Sequence, residues 1–158
     1  MLEKLVYSRI IAFIERNGIV TDAQHGFSSK RSMETALQDF VNNVQTAIDN
    51  KMNPLRLFFD LSKAYDVLDH RLLLDKLNIY GIRGIANTWM ESYLSNREQY
   101  VEVKSLKQGK AISATRQVDI GVPQGSILGP ILFSLYINDL PLNIPHTKMV
   151  FSRTILTY

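Results

Sequence analysis

The sequence of 158 residues contains no cysteine and no long uninterrupted apolar run. The lack of cysteine excludes disulfide bonds and thiolate metal ligands, and it favours an intracellular setting. The most apolar stretch, residues 127–137, is about half the ~20 residues that a membrane-spanning helix needs. The apolar residues near the N-terminus are spaced rather than continuous, which argues against a signal peptide. We therefore expect no membrane partner and no export, although the sequence does not separate nucleus from cytoplasm.

Charge and composition set broad limits on the class of protein. Lys and Arg total 18 against 15 Asp and Glu, so the net charge is +3, and 46% of the residues are hydrophobic. A chain of this length can bury roughly two-thirds of its unfolded surface in one core. It shows no linker, repeat or low-complexity tract, so a single domain is expected. The small basic excess is compatible with a polyanionic partner but does not establish one.

The spacing of apolar residues predicts an α+β fold with helices packed on a small antiparallel sheet. The second helix should start just after Ser32, a good N-cap, and the third at Asp69 or His70. The fifth should have Pro130 in its first turn, where proline is tolerated. The predicted helices cover about 2–18, 33–50, 70–81, 85–94 and the segment after residue 126. The predicted core stripe of the second helix is Leu37, Phe40, Val41, Val44 and Ile48. The predicted strands are 55–61, 99–104, 112–118 and parts of 148–157, with a turn at 108–110.

Asp60 is the first candidate for a functional residue. It follows residues 57–59, an apolar run that reads as a buried strand. An unpaired buried carboxylate costs several kcal/mol, so Asp60 needs a salt partner, a set of donors or a metal ion. Mg²⁺ prefers such oxygen ligands, but Lys63 or Arg71 could equally neutralise the carboxylate. Asp66 and Asp69 fit better as turn and helix-capping residues.

Three further candidates for functional residues could also have an ordinary structural role. Tyr65 could pack in the core, or it could floor a nucleotide pocket beside a metal-binding Asp60. Lys30 and Arg31 could be a solvated pair before a helix, or both could reach phosphate oxygens, Arg31 through its planar fork of donors.

The loop 121–126 is the more unusual segment. Gly121 and Gly125 permit backbone geometries or close approaches that a side chain forbids, and Pro123 stiffens the turn between them. Gln124, just before an apolar helix, could hydrogen-bond a ligand. The alternative is a plain turn in which Ser126 caps the helix.

Three ordered segments together resemble the reverse transcriptases of non-LTR retrotransposons, jockey-like mobile elements in particular. Residues 59–66, Phe-Asp-Leu-Ser-Lys-Ala-Tyr-Asp, resemble the first catalytic motif of reverse transcriptases. Residues 121–130 with 135–140 resemble the second palm motif. Gln24-His25-Gly26-Phe27, followed by Arg31-Ser32 and Ala36-Leu37, is similar to the fingers motif of the non-LTR group. The resemblance implies part of the fingers (about 1–54) and palm (about 55–158) of a polymerase right hand, truncated and without a thumb.

The implied activity is RNA-directed DNA polymerisation. Its partners would be an RNA template, a DNA primer and deoxynucleotide triphosphates. By resemblance, Asp60 and the Leu61 carbonyl would bind a pair of Mg²⁺ ions. A primer 3′-hydroxyl attacks the α-phosphate while the two metals steady the attacking and leaving oxygens.

The resemblance also assigns the substrate contacts. Tyr65 would exclude a ribose 2′-hydroxyl and so select deoxynucleotides. Lys30 and Arg31 would contact the triphosphate, Arg31 being the better match to the motif. Gln124 and Gly125 would line the pocket for the nucleotide and template base.

One family motif is missing. The third palm motif is an aromatic residue, Ala and two consecutive Asp, but Ser152-Arg153 stands in its place after Phe151. No acidic residue follows Asp139. At an effective dielectric constant of about 20, a unit charge ~4 Å from another is worth about 4 kcal/mol, so an Arg there would oppose metal binding. We therefore expect the chain alone to be inactive, as a decayed copy or through a lesion near residue 151. The alternatives are a non-catalytic nucleic-acid-binding remnant and a product without function that folds poorly.

Overall fold

A computed structural model gives the fold and confirms the five predicted helices. It describes residues 2–26, 31–53, 55, 57–58, 63–105, 109–123, 125–144, 147 and 149–150. Within these residues the helices are α1 (Leu2–Asn17), α2 (Met33–Asp49), α3 (His70–Ile79), α4 (Ile85–Leu94) and α5 (Gly129–Ile137), followed by a short 3₁₀ helix (Leu140–Asn143). The strands are β1 (Arg97–Gln99), β2 (Glu102–Ser105), β3 (Gly109–Ile112) and β4 (Arg116–Val118).

Local side-chain chemistry sets where α2 and α3 begin. Ser32 Oγ accepts a hydrogen bond from the Thr35 N–H, and Thr35 Oγ1 accepts one from the Ser32 N–H at 2.8 Å. This reciprocal pair satisfies two amides that a helix start leaves without partners. Asp69 Oδ1 accepts from the Leu72 N–H at 2.8 Å and caps α3 in the same way. The capping roles predicted for Ser32 and Asp69 are thus confirmed.

The core is built from helices and the loops between them. Residues 131–135 of α5 are all buried, as expected for a helix that is apolar on every side. The helices α1, α3 and α4 each place part of one face against this cluster. The residues of the core cluster with less than 2% exposure are Ile14, Leu68, Leu73, Leu77, Met90, Leu94, Leu128, Ile131, Leu132 and Leu135.

The strands pair antiparallel in two consecutive two-stranded ladders, and we call residues 97–105 and 109–118 the β-ribbon. Strand β1 pairs with β4 and β2 pairs with β3, which confirms the predicted hairpin. Gly109 and Lys110, predicted in the turn, belong to β3 instead. No described residue of the β-ribbon belongs to the core cluster. The expectation that the helices pack on a sheet is therefore wrong for the described residues, because α5 supplies the apolar surface that they cover.

The buried strand predicted over 55–61 is wrong in its described part. Leu55, Leu57 and Phe58 lie outside any strand and are 81%, 68% and 82% exposed. A strand needs a neighbour for its backbone hydrogen bonds, and no described segment pairs with these residues. The Phe58 ring lies 5.6 Å from that of Phe40. Residues 56 and 59–61 lie outside the described residues, as do 148 and 151–157 of the last predicted strand, while 149–150 are not in a strand.

The predicted core stripe of α2 is also incorrect. Leu37, Val41 and Ile48 are exposed, whereas the buried residues of α2 are Ala36 and Ala47. The remaining two members of the stripe, Phe40 and Val44, are half-buried. Because α2 is buried at two alanines, the face with its larger apolar side chains stays on the surface of the described structure.

Lys76 joins α3 to the end of α5, and its removal should measurably destabilise the fold. Its Nζ donates to Asp139 Oδ1 and to the Tyr136 carbonyl, both at 2.6 Å, and its side chain is 16% exposed. We expect Lys76→Met to lower the free energy of unfolding by about 1–2 kcal/mol, because both acceptors lose a charge-assisted hydrogen bond.

Urea denaturation measures this change, with Lys104→Met as the matched control. The Lys104 side chain is 81% exposed and lies 3.7 Å from Glu102, so its replacement should cost well under 1 kcal/mol. Equal losses in the two variants would show that the buried link contributes nothing specific.

Candidate functional site

Two of the motif segments recognised in the sequence meet in the structure. We call residues 65–70 together with 120–122 the motif junction. The Val122 N–H donates to the Tyr65 carbonyl and the Gly121 N–H donates to the Leu68 carbonyl, both at 2.7 Å. His70 Nε2 donates to the Gly121 carbonyl at 2.6 Å. An isolated antiparallel bridge pairs residues 69 and 120. The first catalytic motif is therefore hydrogen-bonded to the start of the second palm motif through the Tyr65 carbonyl, and the residues just after it, 68–70, extend this contact.

Gly121 is the residue that allows this contact. Its φ is +83°, and a Cβ at this position would lie 2.7 Å from the Tyr65 carbonyl oxygen and 2.9 Å from Asp66 Cα. Real Cβ atoms essentially never approach backbone this closely. Gly125 also has a positive φ, +81°, but a Cβ there would meet nothing within 4 Å. The predicted need for glycine is thus confirmed at both positions, with close approach only at Gly121.

Tyr65 packs against α5 at the junction. Its ring lies edge-on to that of Phe133, with the ring centroids 5.9 Å apart, and the residue is half-buried. This is the core-packing role that the sequence left open. The remaining exposed part of the residue leaves room for a second contact.

The loop after the junction is fixed at the start of α5 by two side chains. Ser126 Oγ accepts from the Gly129 N–H at 2.9 Å, which is the capping contact offered as the ordinary alternative for this loop. Glu3 Oε2 accepts from the Ile127 N–H at 3.1 Å, and Glu3 Oε1 accepts from the Tyr93 hydroxyl at 3.0 Å. Burial, together with the Glu3 carboxylate, raises the pKa of Tyr93 above 10.0, so this hydroxyl remains a donor at neutral pH.

The segment with the fingers motif is anchored on α5 by buried polar groups. Gln24 Nε2 donates to Ser134 Oγ at 2.9 Å, and Gln24 is 2% exposed. Asn138, one turn further along, accepts from the Thr21 N–H and donates to the Ile19 carbonyl, both at 2.9 Å. This anchor was not predicted from the sequence. Its signal was the pair of polar residues four apart on an otherwise apolar helix, which places both on one face.

His25 links the same segment to α2. Its Nδ1 shares a 2.9 Å hydrogen bond with Thr35 Oγ1, and its Nε2 lies 3.4 Å from Asp39 Oδ2. The imidazole is buried while Asp39 remains exposed. The position of the fingers motif is therefore determined by contacts to two helices, α5 and α2.

Arg31 is engaged by a neighbouring carboxylate. Its Nη2 lies 2.5 Å from Asp22 Oδ1, and its Nη1 donates to the Asp22 carbonyl. The Arg31 side chain is 29% exposed and that of Asp22 is fully exposed. Ion pairs this exposed contribute little stability, so an anionic ligand could replace Asp22 at small cost.

The remaining predicted site residues lie outside the described residues. These are Lys30, Asp60, Leu61 and Gln124. The possible pairing of Asp60 with Lys63 or Arg71 falls there as well. The predicted site residues that the structure describes are Arg31, Tyr65 and Gly125. Tyr65 lies in one segment of the motif junction, and Gly125 follows shortly after the other segment.

The described residues do not fit a divalent metal centre. They contain no group of three or more His, Cys, Asp or Glu side chains placed to bind one ion. Asp69 is used as a helix cap, and Asp139 is paired with Lys76. A two-ion centre needs several carboxylates around the metals, and the described residues alone do not provide such a group.

Comparison with known proteins agrees with the motif assignment. The family model described as "Reverse transcriptase (RNA-dependent DNA polymerase)" matches residues 1–158. The chain is 33% identical over 147 residues, 89% of its length, to the probable RNA-directed DNA polymerase from transposon X-element of Drosophila melanogaster. It is 30% identical over 145 residues (88% of the chain) to that from transposon BS and 28% identical over 155 residues (94%) to the RNA-directed DNA polymerase from mobile element jockey, both of the same species.

The chain belongs to the reverse transcriptase family, and the three relatives named above are polymerases of non-LTR retrotransposons. The aligned region is 15% of the X-element and BS proteins and 16% of the jockey protein. No solved structure matches the chain. Within the described residues, none of the helices has the length and apolar character needed to span a membrane.

Proposed function

We propose that this chain is the part of a retrotransposon RNA-directed DNA polymerase that holds the incoming nucleotide, with a metal centre that lacks its carboxylate pair. In this proposal residues 1–54 belong to the fingers and residues 55–158 to the palm. The substrates would be an RNA template, a DNA primer and deoxynucleotide triphosphates. The motif junction supports this best, because it joins the segment that begins at Asp60 to the segment that contains Gln124.

The residue roles follow from that junction and from the family motifs. Tyr65 would exclude the ribose 2′-hydroxyl with the exposed part of its half-buried ring, while Phe133 holds its other edge. Gln124 and Gly125 would line the nucleotide pocket at the start of α5. Lys30 and Arg31 would contact the triphosphate, with Arg31 exchanging Asp22 for a phosphate oxygen.

The metal centre is the weak part of the site. Mg²⁺ bound by Asp60 and the Leu61 carbonyl would supply the charge stabilisation that phosphoryl transfer requires. The family places two consecutive Asp after an aromatic residue, and this sequence has Ser152-Arg153 after Phe151. Because the described residues offer no replacement cluster, we propose that the chain alone does not join nucleotides.

Primer extension tests this proposal. We expect the full chain, given an RNA template, a DNA primer and deoxynucleotides, to show no template-dependent incorporation with either Mg²⁺ or Mn²⁺. The polymerase of mobile element jockey, assayed on the same template, serves as the positive control. Template-dependent incorporation that Asp60→Asn abolishes would contradict the proposed lack of activity.

A further inference from the structure

The β-ribbon, residues 97–105 and 109–118, carries a positive net charge on an exposed element. These residues include four basic and two acidic side chains, a net charge of +2 out of +3 for the whole chain. The basic residues are Arg97, Lys104, Lys110 and Arg116, and the acidic residues are Glu98 and Glu102.

The β-ribbon has almost no support from the rest of the fold. Each of its residues from 98 to 117 whose side chain the structure describes is exposed, and only Arg97 and Val118 at its base are half-buried. Tyr100 and Val103 are each 58% exposed. A two-stranded ribbon without an apolar face to pack on is marginally stable in water. Contact with a partner would supply the missing support.

The register of β2 and β3 places two like charges opposite each other. Lys104 pairs directly with Lys110 across the strands, an arrangement that is destabilising by itself. Glu102 serves both lysines, with its carboxylate oxygens 2.7 Å from Lys110 Nζ and 3.7 Å from Lys104 Nζ. One carboxylate between two ammonium groups leaves a net positive charge, which an anion outside the chain can neutralise.

The β1–β4 pair, a separate two-stranded ladder of the ribbon, carries a further exposed cation, Arg116. Gln99 lies opposite Arg116 in the register, and both are exposed. Side chains directly opposite each other in an antiparallel pair share a face of the ribbon. An exposed guanidinium beside an amide matches phosphate oxygens in both charge and geometry. The exposed Tyr100 ring between the two pairs offers a surface on which a base can stack.

We propose that the β-ribbon binds the sugar–phosphate backbone of the template–primer nucleic acid. The identity of that nucleic acid rests on the proposed polymerase function, whereas the binding surface rests on the charge and exposure of the ribbon. The contacts would be to phosphates, so binding would be independent of sequence and would weaken with salt as counterions are released.

Salt-dependent binding of an RNA–DNA hybrid duplex to the full chain tests the proposal. The triple variant Lys104→Gln, Lys110→Gln, Arg116→Gln should reduce the slope of log K against log salt by about 2 to 3, since each lost phosphate contact removes nearly one unit. The control is Lys4→Gln, Arg9→Gln, Arg16→Gln on α1, which removes the same charge from exposed positions. The control should leave the slope nearly unchanged.

A second variant keeps the test decisive if the triple variant folds poorly. Glu102→Gln frees Lys104 and Lys110 from their shared carboxylate, so it should tighten binding and steepen the salt dependence. Equal effects of the ribbon and α1 variants, or weaker binding by Glu102→Gln, would overturn the proposal. The same holds if the chain binds phosphatidylserine vesicles but not the duplex. Because the primer-extension result does not depend on the ribbon, failure of this inference leaves the proposed function standing.

Discussion

Gly121→Ala is expected to lower the free energy of unfolding by about 3 kcal/mol. A left-handed backbone costs a residue with a Cβ roughly 1–2 kcal/mol, and forcing an extra methyl into a packed site typically adds 1–3 kcal/mol. Here the obstacle is the backbone of residues 65 and 66, which cannot move aside as a flexible side chain would. Two of the three hydrogen bonds of the motif junction would lengthen with it, because they use the N–H and carbonyl of Gly121 itself.

Gly125→Ala is the matched control for this substitution. Its φ, +81°, is within 2° of that of Gly121, but no atom lies within 4 Å of the added Cβ. We expect Gly125→Ala to lower the free energy of unfolding only by the cost of the left-handed backbone, roughly 1–2 kcal/mol. Urea denaturation of the two variants separates strain from close approach. Similar losses in both would show that the contact between the two motif segments is absent in solution.

The second large effect concerns divalent cations. We expect replacement of Ser152-Arg153 by Ala-Asp-Asp to raise the affinity for Mn²⁺ at least about a hundredfold. In the proposed centre, the change removes one positive charge and adds two negative ones beside Asp60. At an effective dielectric constant of about 20, one unit charge at ~4 Å is worth about 4 kcal/mol, whereas a hundredfold change in affinity needs only about 2.7 kcal/mol.

Titration of free Mn²⁺ by electron paramagnetic resonance measures this affinity. Replacement of Ser152-Arg153 by Ala-Asn-Asn is the control, since it has the same length and nearly the same shape but adds no carboxylate. Asp60→Asn, combined with the Ala-Asp-Asp replacement, should remove most of the gain. If the neutral replacement binds Mn²⁺ equally well, or Asp60→Asn changes nothing, the ions bind elsewhere and the proposed centre is wrong.

The parts of the fold that the sequence predicted are those determined by neighbouring residues. The start of α2 follows from Ser32 and Thr35, and that of α3 from Asp69, because a cap acts within one turn. The need for glycine at position 121 was also visible, since two glycines that flank a proline in a short loop indicate an unusual backbone. Its partner, the backbone at residues 65 and 66, became visible only in the structure.

The parts that were missed depend on distant residues. The exposure of Leu57 and Phe58 reflects a missing strand neighbour, which the apolar run itself cannot reveal. The anchoring of Gln24 by Ser134 spans 110 positions, and that of Thr21 by Asn138 spans 117. The sequence pattern of α2 correctly predicted that the helix has an apolar face. It did not predict that this face is exposed, because burial depends on which elements pack nearby.

The predicted site divides in the same way. The family resemblance implied that the segments of Tyr65 and Gly121 contribute to one site. In the structure these two segments are hydrogen-bonded to each other. The pairing of Arg31 with Asp22, nine positions earlier, was not predicted, because no sequence motif links these two residues. The roles of Asp60, Leu61, Lys30 and Gln124 stay predictions, because these residues lie outside the described structure.

The proposed function depends most on whether Asp60 and Gln124 belong to one centre. The distance between spin labels at these two positions tests this directly. The chain has no cysteine, so Asp60→Cys and Gln124→Cys place exactly one label at each position. Extended chain on both sides of the junction would allow about 25–30 Å between them, at ~3.3–3.6 Å per residue. We predict that the chain on both sides folds back toward one site, so that the two labels lie less than roughly 20 Å apart, well short of the extended limit. A separation near the extended limit would contradict a shared nucleotide site.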